Sequence, residues 1–388
     1  MSSTFPWNKP ELKTLISEAV SKGIDELKLA EKISKGPYTS LRNEILDYIQ
    51  LVPKFRKKFQ FEGLLSCDKL ALEQSTARDI GLWKAKLFNN VKSVDDLCCG
   101  MGGDSFYIPK DVNVQGFDIS EERLAMYEYN TNEFGSSRKA VLADVRTLKQ
   151  HSDYFMIDPA RRQKEGDNQR NFTELTPSLL EVIEIARHYR GGMAKLSPGY
   201  PEEEIPNDAE LVYLGNRSDC RECLILFGEL AKHPGKVRAV FVDKNGNGIE
   251  WISQSNRADF EELDTGGLLE YIAEPIPVLV RSHLFTEIAL RENAHLISTG
   301  IAYITSSTPL DPKAFTNFRV IDSVPMATSA IRKMLKKYDI GKLTLKKRGV
   351  EICPESEIKR LAPNGKREGI LFYTRLRGEK TAILADIM

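Results

Sequence analysis

SVDDLCCGMGGDSFYIPKDVNVQGFD, residues 93–118, reads as a buried strand, a glycine-rich turn and a second strand. The first strand is the short run Val94-Asp95-Asp96-Leu97, which ends on acidic residues. The turn is Cys98-Cys99-Gly100-Met101-Gly102-Gly103-Asp104, and the second strand, Val112 to Phe117, ends at Asp118. Glycines allow positive φ and let a ligand approach the backbone, so a strand feeding such a turn makes a nucleotide-sized notch. Ligands of open α/β sheets bind beyond the carboxyl ends of the strands at the switch point, where Asp118 can grip a ribose hydroxyl pair.

The spacing narrows the ligand. A dinucleotide fingerprint needs G-x-G-x-x-G with a pyrophosphate on a helix N-terminus. Here Asp96 precedes the glycines and Asp104 follows them, which suits a cationic ligand rather than a phosphate. At these residues the chain resembles the class I S-adenosylmethionine (SAM)-dependent methyltransferases, whose first motif is an acidic strand end followed by G-x-G-G. The resemblance implies a Rossmann-like α/β domain with a seven-stranded sheet and SAM as cofactor. It implies that Asp96, Cys98, Gly100, Gly102 and Gly103 hold the methionine portion. Asp118 with Ile119 would take the ribose side, and Asp144 with Val145 the adenine. Gln74 and Thr76 lie in an analogue of the Gln-Ser/Thr turn that covers the cofactor in several nucleic-acid methyltransferases. An N-cap explains Glu73-Gln74-Ser75-Thr76 as well.

After Asp118, Ser120 caps a helix to Asn132, Ala140–Ala143 makes a third strand, and Asp153–Ile157 a fourth. The fourth strand ends at Asp158-Pro159-Ala160-Arg161-Arg162. Amine-directed methyltransferases carry (Asp/Asn/Ser)-Pro-Pro-aromatic here, and its oxygens accept hydrogen bonds from the target NH2 while the aromatic stacks on the flipped base. Asp158 and Pro159 match, so the resemblance implies that they meet the target amine. Ala160 and Arg161 depart from the pattern, although a guanidinium plane can stack on a base or grip a phosphate. Arg161 or Arg162 would then hold the nucleotide. Gln163–Asn171 suits a substrate loop, and Phe172 is a candidate for the missing aromatic.

Length and composition suit a globular protein of two or three domains. The 388 residues are 41% hydrophobic and 28% charged, with no apolar run of membrane-spanning length. Six scattered cysteines without a disulfide framework point to reduced thiols and the cytoplasm. Cys220-Arg-Glu-Cys223 lacks a second ligand pair, so no metal is expected. Net charge is zero, yet residues 331–380 hold fifteen Lys/Arg against six Asp/Glu, which leaves the rest of the chain acidic by nine. A basic terminal module suggests a polyanion partner, although a solvated charged face explains it too.

Four segments are expected: a helical domain over 1–69, the methyltransferase domain over 70–232, a hairpin and α+β linking domain over 233–319, and a basic module over 320–388. Asn245-Gly246-Asn247-Gly248 marks the hairpin. Lys54, Arg56, Lys57 and Lys58, interleaved with Phe55 and Phe59, fit either a nucleic-acid surface or an amphipathic helix end. The variant at Asp158–Arg162 together with Lys346-Lys347-Arg348-Gly349-Val350 resembles a bacterial group of methyltransferases with a THUMP-like C-terminal domain. That group is related to trimethylguanosine synthase-type RNA methyltransferases. The resemblance implies an RNA partner, tRNA or rRNA, with Lys346, Lys347 and Arg348 on the substrate. Two other readings stand beside RNA methylation: an RNA-binding protein that kept the pocket without catalysis, and a small-molecule methyltransferase.

Overall fold

The computed structural model describes residues 9–23, 26–149, 152–161, 175–257 and 262–388. Its first sheet is built from β1 (Ser93–Leu97), β2 (Asn113–Asp118), β3 (Lys139–Leu142), β4 (Tyr154–Ile157), β5 (Gly191–Leu196), β6 (Glu210–Gly215), β7 (Cys220–Gly228), β8 (Val237–Val242) and β9 (Gly248–Ile252). The strand order is β9-β8-β6-β7-β5-β4-β1-β2-β3. β1 runs parallel to β2 and β4, β2 to β3 and β4 to β5, while β7 lies antiparallel to β5. The chain therefore steps outward from β1 to β3 and returns to the other side of β1 at β4. That reversal opens a crevice at the strand ends.

The sheet holds nine strands rather than the seven expected, because the Asn245–Gly248 hairpin adds β8 and β9 to its edge. Central strands of a parallel sheet are covered on both faces, which is why Val94, Asp95, Asp96 and Leu97 are all buried. Packing there is close enough to dictate Gly192: a Cβ at that position would stand 2.1 Å from the Phe155 ring.

Helices α1 (Pro10–Lys22), α2 (Glu26–Ser34) and α3 (Arg42–Phe59) precede the sheet. Leu12, Ile16 and Ala19 recur along one face of α1, and their core continues through Ile45, Phe55 and Phe59 to Met101, Phe106 and Met126. This corrects one expectation: the segment 1–69 is not packed as a separate domain, because its core is completed by Met101 of the glycine-rich turn, by Phe106 and by Met126 of the helix after β2. Phe55 and Phe59 are wholly buried, which favours the amphipathic helix end over the nucleic-acid surface. Lys58 Nζ donates to Leu72 O at 2.5 Å, and burial lowers its pKa to about 8.

The chain divides into two compact units instead of four segments. One comprises Met1–Gly215, Arg221–Gly235 and Val240–Glu250; the other comprises Asn216–Cys220, Lys236–Ala239 and Trp251–Met388. The second unit carries β10 (Tyr271–Pro275), β11 (His295–Leu296), β12 (Ile304–Ser306), β13 (Phe315–Pro325), β14 (Ile340–Lys347), β15 (Arg367–Leu376) and β16 (Glu379–Ile387). They form one sheet in the order β11-β12-β10-β13-β16-β15-β14, so the linking segment and the basic module share it. The helices Thr328–Lys337 and Pro354–Leu361 pack Ile331, Met334, Leu335 and Leu361 against Leu371, Tyr373 and Leu384 of this sheet. Among the described residues, no helix is long and apolar enough to cross a membrane.

Candidate active site

The register of the parallel strands sets the site. Leu97 pairs with Phe117 on one side and Ile157 on the other, and Ile157 pairs with Ala194. One residue further along each strand come Cys98, Asp118, Asp158 and Lys195. These four therefore stand in adjacent columns at the open end of the sheet. Asp144 follows two residues after Leu142, the partner of Asp118.

The turn is held from within. Asp118 Oδ2 accepts from the Gly100 N–H at 3.0 Å, and its Oδ1 accepts from the Ser120 N–H at 3.0 Å. Each oxygen keeps a lone pair for a further donor. Gly100 has φ +54° and Gly102 +93°, and even Cys98 takes φ +62°, which is unfavourable for a side chain with a Cβ. A Cβ built on Gly100 meets no atom within 4 Å, so the space above the turn is open. Burial raises the pKa of the Cys98 thiol first, and Asp118, Asp158, Asp96 and Asp144 each raise it further.

The individual roles differ from the expectation in several places. Asp96 points into the protein, where it accepts from Ser105 Oγ at 2.6 Å; burial pushes its pKa up to about 8. Ser105 Oγ also lies 3.0 Å from Tyr127 Oη. Asp96 thereby props up the turn from below instead of facing the open space. Asp144 is forked by its neighbour: Arg146 Nε donates to Oδ1 at 2.9 Å and Nη2 to Oδ2 at 2.6 Å, holding the carboxyl below its usual range. Ile119 is 72% exposed, an apolar side chain in solvent at the tip of β2. Val145 is buried. Arg161 is described in its backbone alone, paired with Leu175. Arg162, Phe172 and the run Gln163–Asn171 lie outside the described residues.

The cap expected at Ser75-Thr76 is absent. Helix α4 (Lys69–Gln74) ends there, and α5 (Arg78–Ala85) starts after Ala77 with no side-chain cap. Thr76 instead sits in a buried ionic network that the sequence did not disclose. Its Oγ1 donates to Glu222 Oε1 at 2.9 Å and accepts from Lys84 Nζ at 3.1 Å and Lys195 Nζ at 3.3 Å. Lys84 also binds Glu222 Oε2 at 2.9 Å and pairs with Asp104. Lys195 reaches Asp158 Oδ2 at 2.7 Å, Gln74 O at 3.1 Å and Glu222 Oε1 at 3.8 Å. Burial opposes every one of these charges. The opposite charges outweigh it for four groups: the pKa values of Lys84 and Lys195 are raised, and those of Asp104 and Glu222 are lowered. For Asp158 desolvation wins and its pKa is raised, although Lys195 pulls it down and 37% of the side chain meets solvent. The signal that could have revealed the network was a lone lysine or glutamate inside an apolar run, as in Met193-Ala-Lys195-Leu and Cys220-Arg-Glu222-Cys-Leu.

In the second unit, Lys346 Nζ binds Glu274 Oε2 at 2.5 Å. Arg348 donates to Ala302 O at 2.5 Å and lies 4.7 Å from the Tyr303 ring centre. Both line a hollow of about 530 Å³ with Arg217, Arg281, Asp219 and Glu274. Lys347 turns elsewhere and donates to Ile352 O at 2.6 Å. Much of the basic excess is paired locally, as in Lys337–Asp322, Lys342–Glu368, Arg360–Glu357 and Arg367–Asp386. Cys220 and Cys223, three apart on β7, point to opposite faces. Among the described residues, no group of three or more His, Cys, Asp or Glu could hold a metal ion.

The fold is the Rossmann-like α/β methyltransferase fold, followed by a C-terminal segment similar to a THUMP domain. Residues 315–386 match the family described as THUMP domain-like. The chain is 26% identical over 312 residues to an uncharacterized SAM-dependent methyltransferase of Mycobacterium tuberculosis, in strains CDC 1551 / Oshkosh and H37Rv. That match covers 79% of this chain and 83% of the relative. The crystal structure of a candidate methyltransferase from Porphyromonas gingivalis W83 superposes with a TM-score of 0.75 over 98% of both chains, at 19% identity.

Proposed function

We propose that this protein is a SAM-dependent methyltransferase that modifies a base nitrogen of RNA, tRNA or rRNA. The observation that carries the reading is the strand register that sets Asp118, Asp144 and Asp158 at the strand ends beside the Cys98–Gly103 turn, with open space above Gly100. The residues fit the cofactor. Asp118 would take the ribose hydroxyls, exposed Ile119 one face of the adenine, and Asp144 the adenine amino group once Arg146 yields an oxygen. The turn from Gly100 to Gly103 would take the methionine portion. Bound there, SAM would supply the methyl group of its sulfonium to the acceptor nitrogen, which would shed a proton in exchange. Asp158 then does the protein's share by accepting a hydrogen bond from the amine and steering its lone pair. Positioning accounts for most of such an acceleration.

RNA is favoured over a small molecule by the THUMP-like match and by the arginine-lined hollow, whose four cations outnumber its two carboxylates. The M. tuberculosis relative is named for SAM-dependent methyl transfer, which supports the chemistry and leaves the substrate to experiment. The test is nucleoside mass spectrometry of RNA from cells with and without the gene, followed by transfer from methyl-labelled SAM to the RNA of the deletion strain. A missing methylated base restored by the wild type and not by D158A is the expected result. The departure at Ala160-Arg161 favours one rival, a SAM-binding RNA protein without catalysis. Cofactor binding without transfer to any RNA would establish that rival.

A further inference from the structure

We propose that Lys195 is a positioning residue for this reaction: its ammonium pins one oxygen of Asp158 so that the other is presented to the acceptor amine. The inference rests on the methyltransferase reading above and adds a residue to it. Asp158 and Lys195 occupy neighbouring columns of the sheet, one residue beyond the Ile157–Ala194 pair, so the backbone alone brings them together. The ammonium has three protons, and three partners lie within hydrogen-bond reach: Asp158 Oδ2 at 2.7 Å, Gln74 O at 3.1 Å and Thr76 Oγ1 at 3.3 Å. With every donor committed and the side chain buried, Lys195 has no freedom to turn. Asp158 Oδ1 has no hydrogen-bond donor among the described protein groups. One carboxylate oxygen is thus anchored from inside the protein while the other is left for a substrate at the partly exposed tip of β4.

The electrostatics fit the same role. Lys195 stays protonated, since Asp158, Glu222 and Asp104 outweigh its burial. It therefore cannot take the proton shed by the acceptor nitrogen; that proton passes to Asp158 Oδ1 and on to water. The charged groups that act on Asp158 are Lys195, Asp104 and Lys84, and the Cys98 thiol lies within its field. Lys195 is the strongest influence favouring the ionised, accepting form against desolvation. A purely structural role, neutralising Glu222, would need no contact with Asp158, because Lys84 already binds Glu222 at 2.9 Å.

The test uses the full chain labelled with 13C-aspartate, with the Asp158 carboxyl signal assigned by its loss in D158N. In K195M the Asp158 midpoint should rise by about 1–3 pH units, the usual effect of removing an adjacent opposite charge. In K195R it should stay near the wild-type value. In methyl transfer, K195M should lower kcat with the KM for SAM little changed, and the acid limb of the pH profile should move up. The same substitution in the D158N background should cost far less. An unmoved Asp158 midpoint in folded K195M, or equal losses in both backgrounds, would overturn the proposal. If K195M does not fold, D158N alone decides: persistence of the acid limb there would rule out Asp158 as the titrating acceptor. A wild type that methylates no RNA, with the carboxyl shift intact, would remove the RNA reading and leave the Lys195–Asp158 anchor standing.

Discussion

Asp118 and Asp96 look alike in sequence, two acids at strand ends flanking one turn, yet their surroundings give them opposite tasks. Asp118 keeps lone pairs toward open space, whereas Asp96 is buried against Ser105. Removing a hydrogen-bonding charge from a ligand typically costs about 1.5–3 kcal/mol. D118A should therefore weaken SAM binding roughly tenfold to a hundredfold by calorimetry. For Asp96 the consequence is pH dependence of stability. Its folded pKa is raised from 3.8 to about 8, so between those values the native state holds a proton that the unfolded chain has lost. Its contribution is fully present below about pH 4 and is lost as the pH rises through 8. Urea midpoints at pH 5 and pH 8 should show D96N gaining on the wild type at the higher pH.

Helix α3 is the element whose role the structure changed most. Its basic residues Arg56, Lys57 and Lys58 lie in its last turn, while Phe55 and Phe59 lie wholly inside a core that ends on Met101 of the glycine-rich turn and on Phe106 just after it. Phe59 meets Phe106 edge to face at 5.5 Å. The helices therefore brace the glycine-rich turn. Phe55→Ala should cost about 3–5 kcal/mol in urea unfolding, the usual loss for a buried phenylalanine. Because the core is shared, a chain lacking residues 1–60 should lose SAM binding as well as stability. Retention of normal SAM affinity in that truncation would show that the bracing is dispensable.

At the scale of the whole molecule, two compact units carry two kinds of chemistry: a carboxylate-rimmed turn in one and an arginine-lined hollow in the other. Lys337, Lys342, Arg360 and Arg367 are paired locally, and the hollow draws its cations from Arg217 and Arg281 as well as from Lys346 and Arg348. Binding to bulk tRNA or rRNA should fall steeply as salt rises from 50 to 200 mM, in proportion to the phosphates neutralised. The R217E/R281E double variant should flatten that dependence and leave SAM affinity at the wild-type level. A salt slope unchanged in the variant would take the hollow out of the RNA surface.

The succession of strands along the chain, the glycine-rich turn and the acidic strand tips were legible in the sequence because each is a local pattern: apolar runs, glycines at fixed offsets, and carboxylates just beyond them. The Asn245–Gly248 hairpin was legible for the same reason, although its joining the main sheet was not. What no local pattern carries is who meets whom across long separations. Thr76 and Glu222 are 146 positions apart, and Lys195 and Asp158 lie 37 apart on different strands. Their meeting depends on strand register, and their ionisation depends on burial that exists only once the sheet has closed. The sequence by itself determined the α/β architecture and the acidic rim of the turn. Tertiary structure alone decided which acid stays at the open turn, which one is buried beneath it, and which lysine pairs with Asp158, because charge in a protein is set by the neighbours that folding supplies.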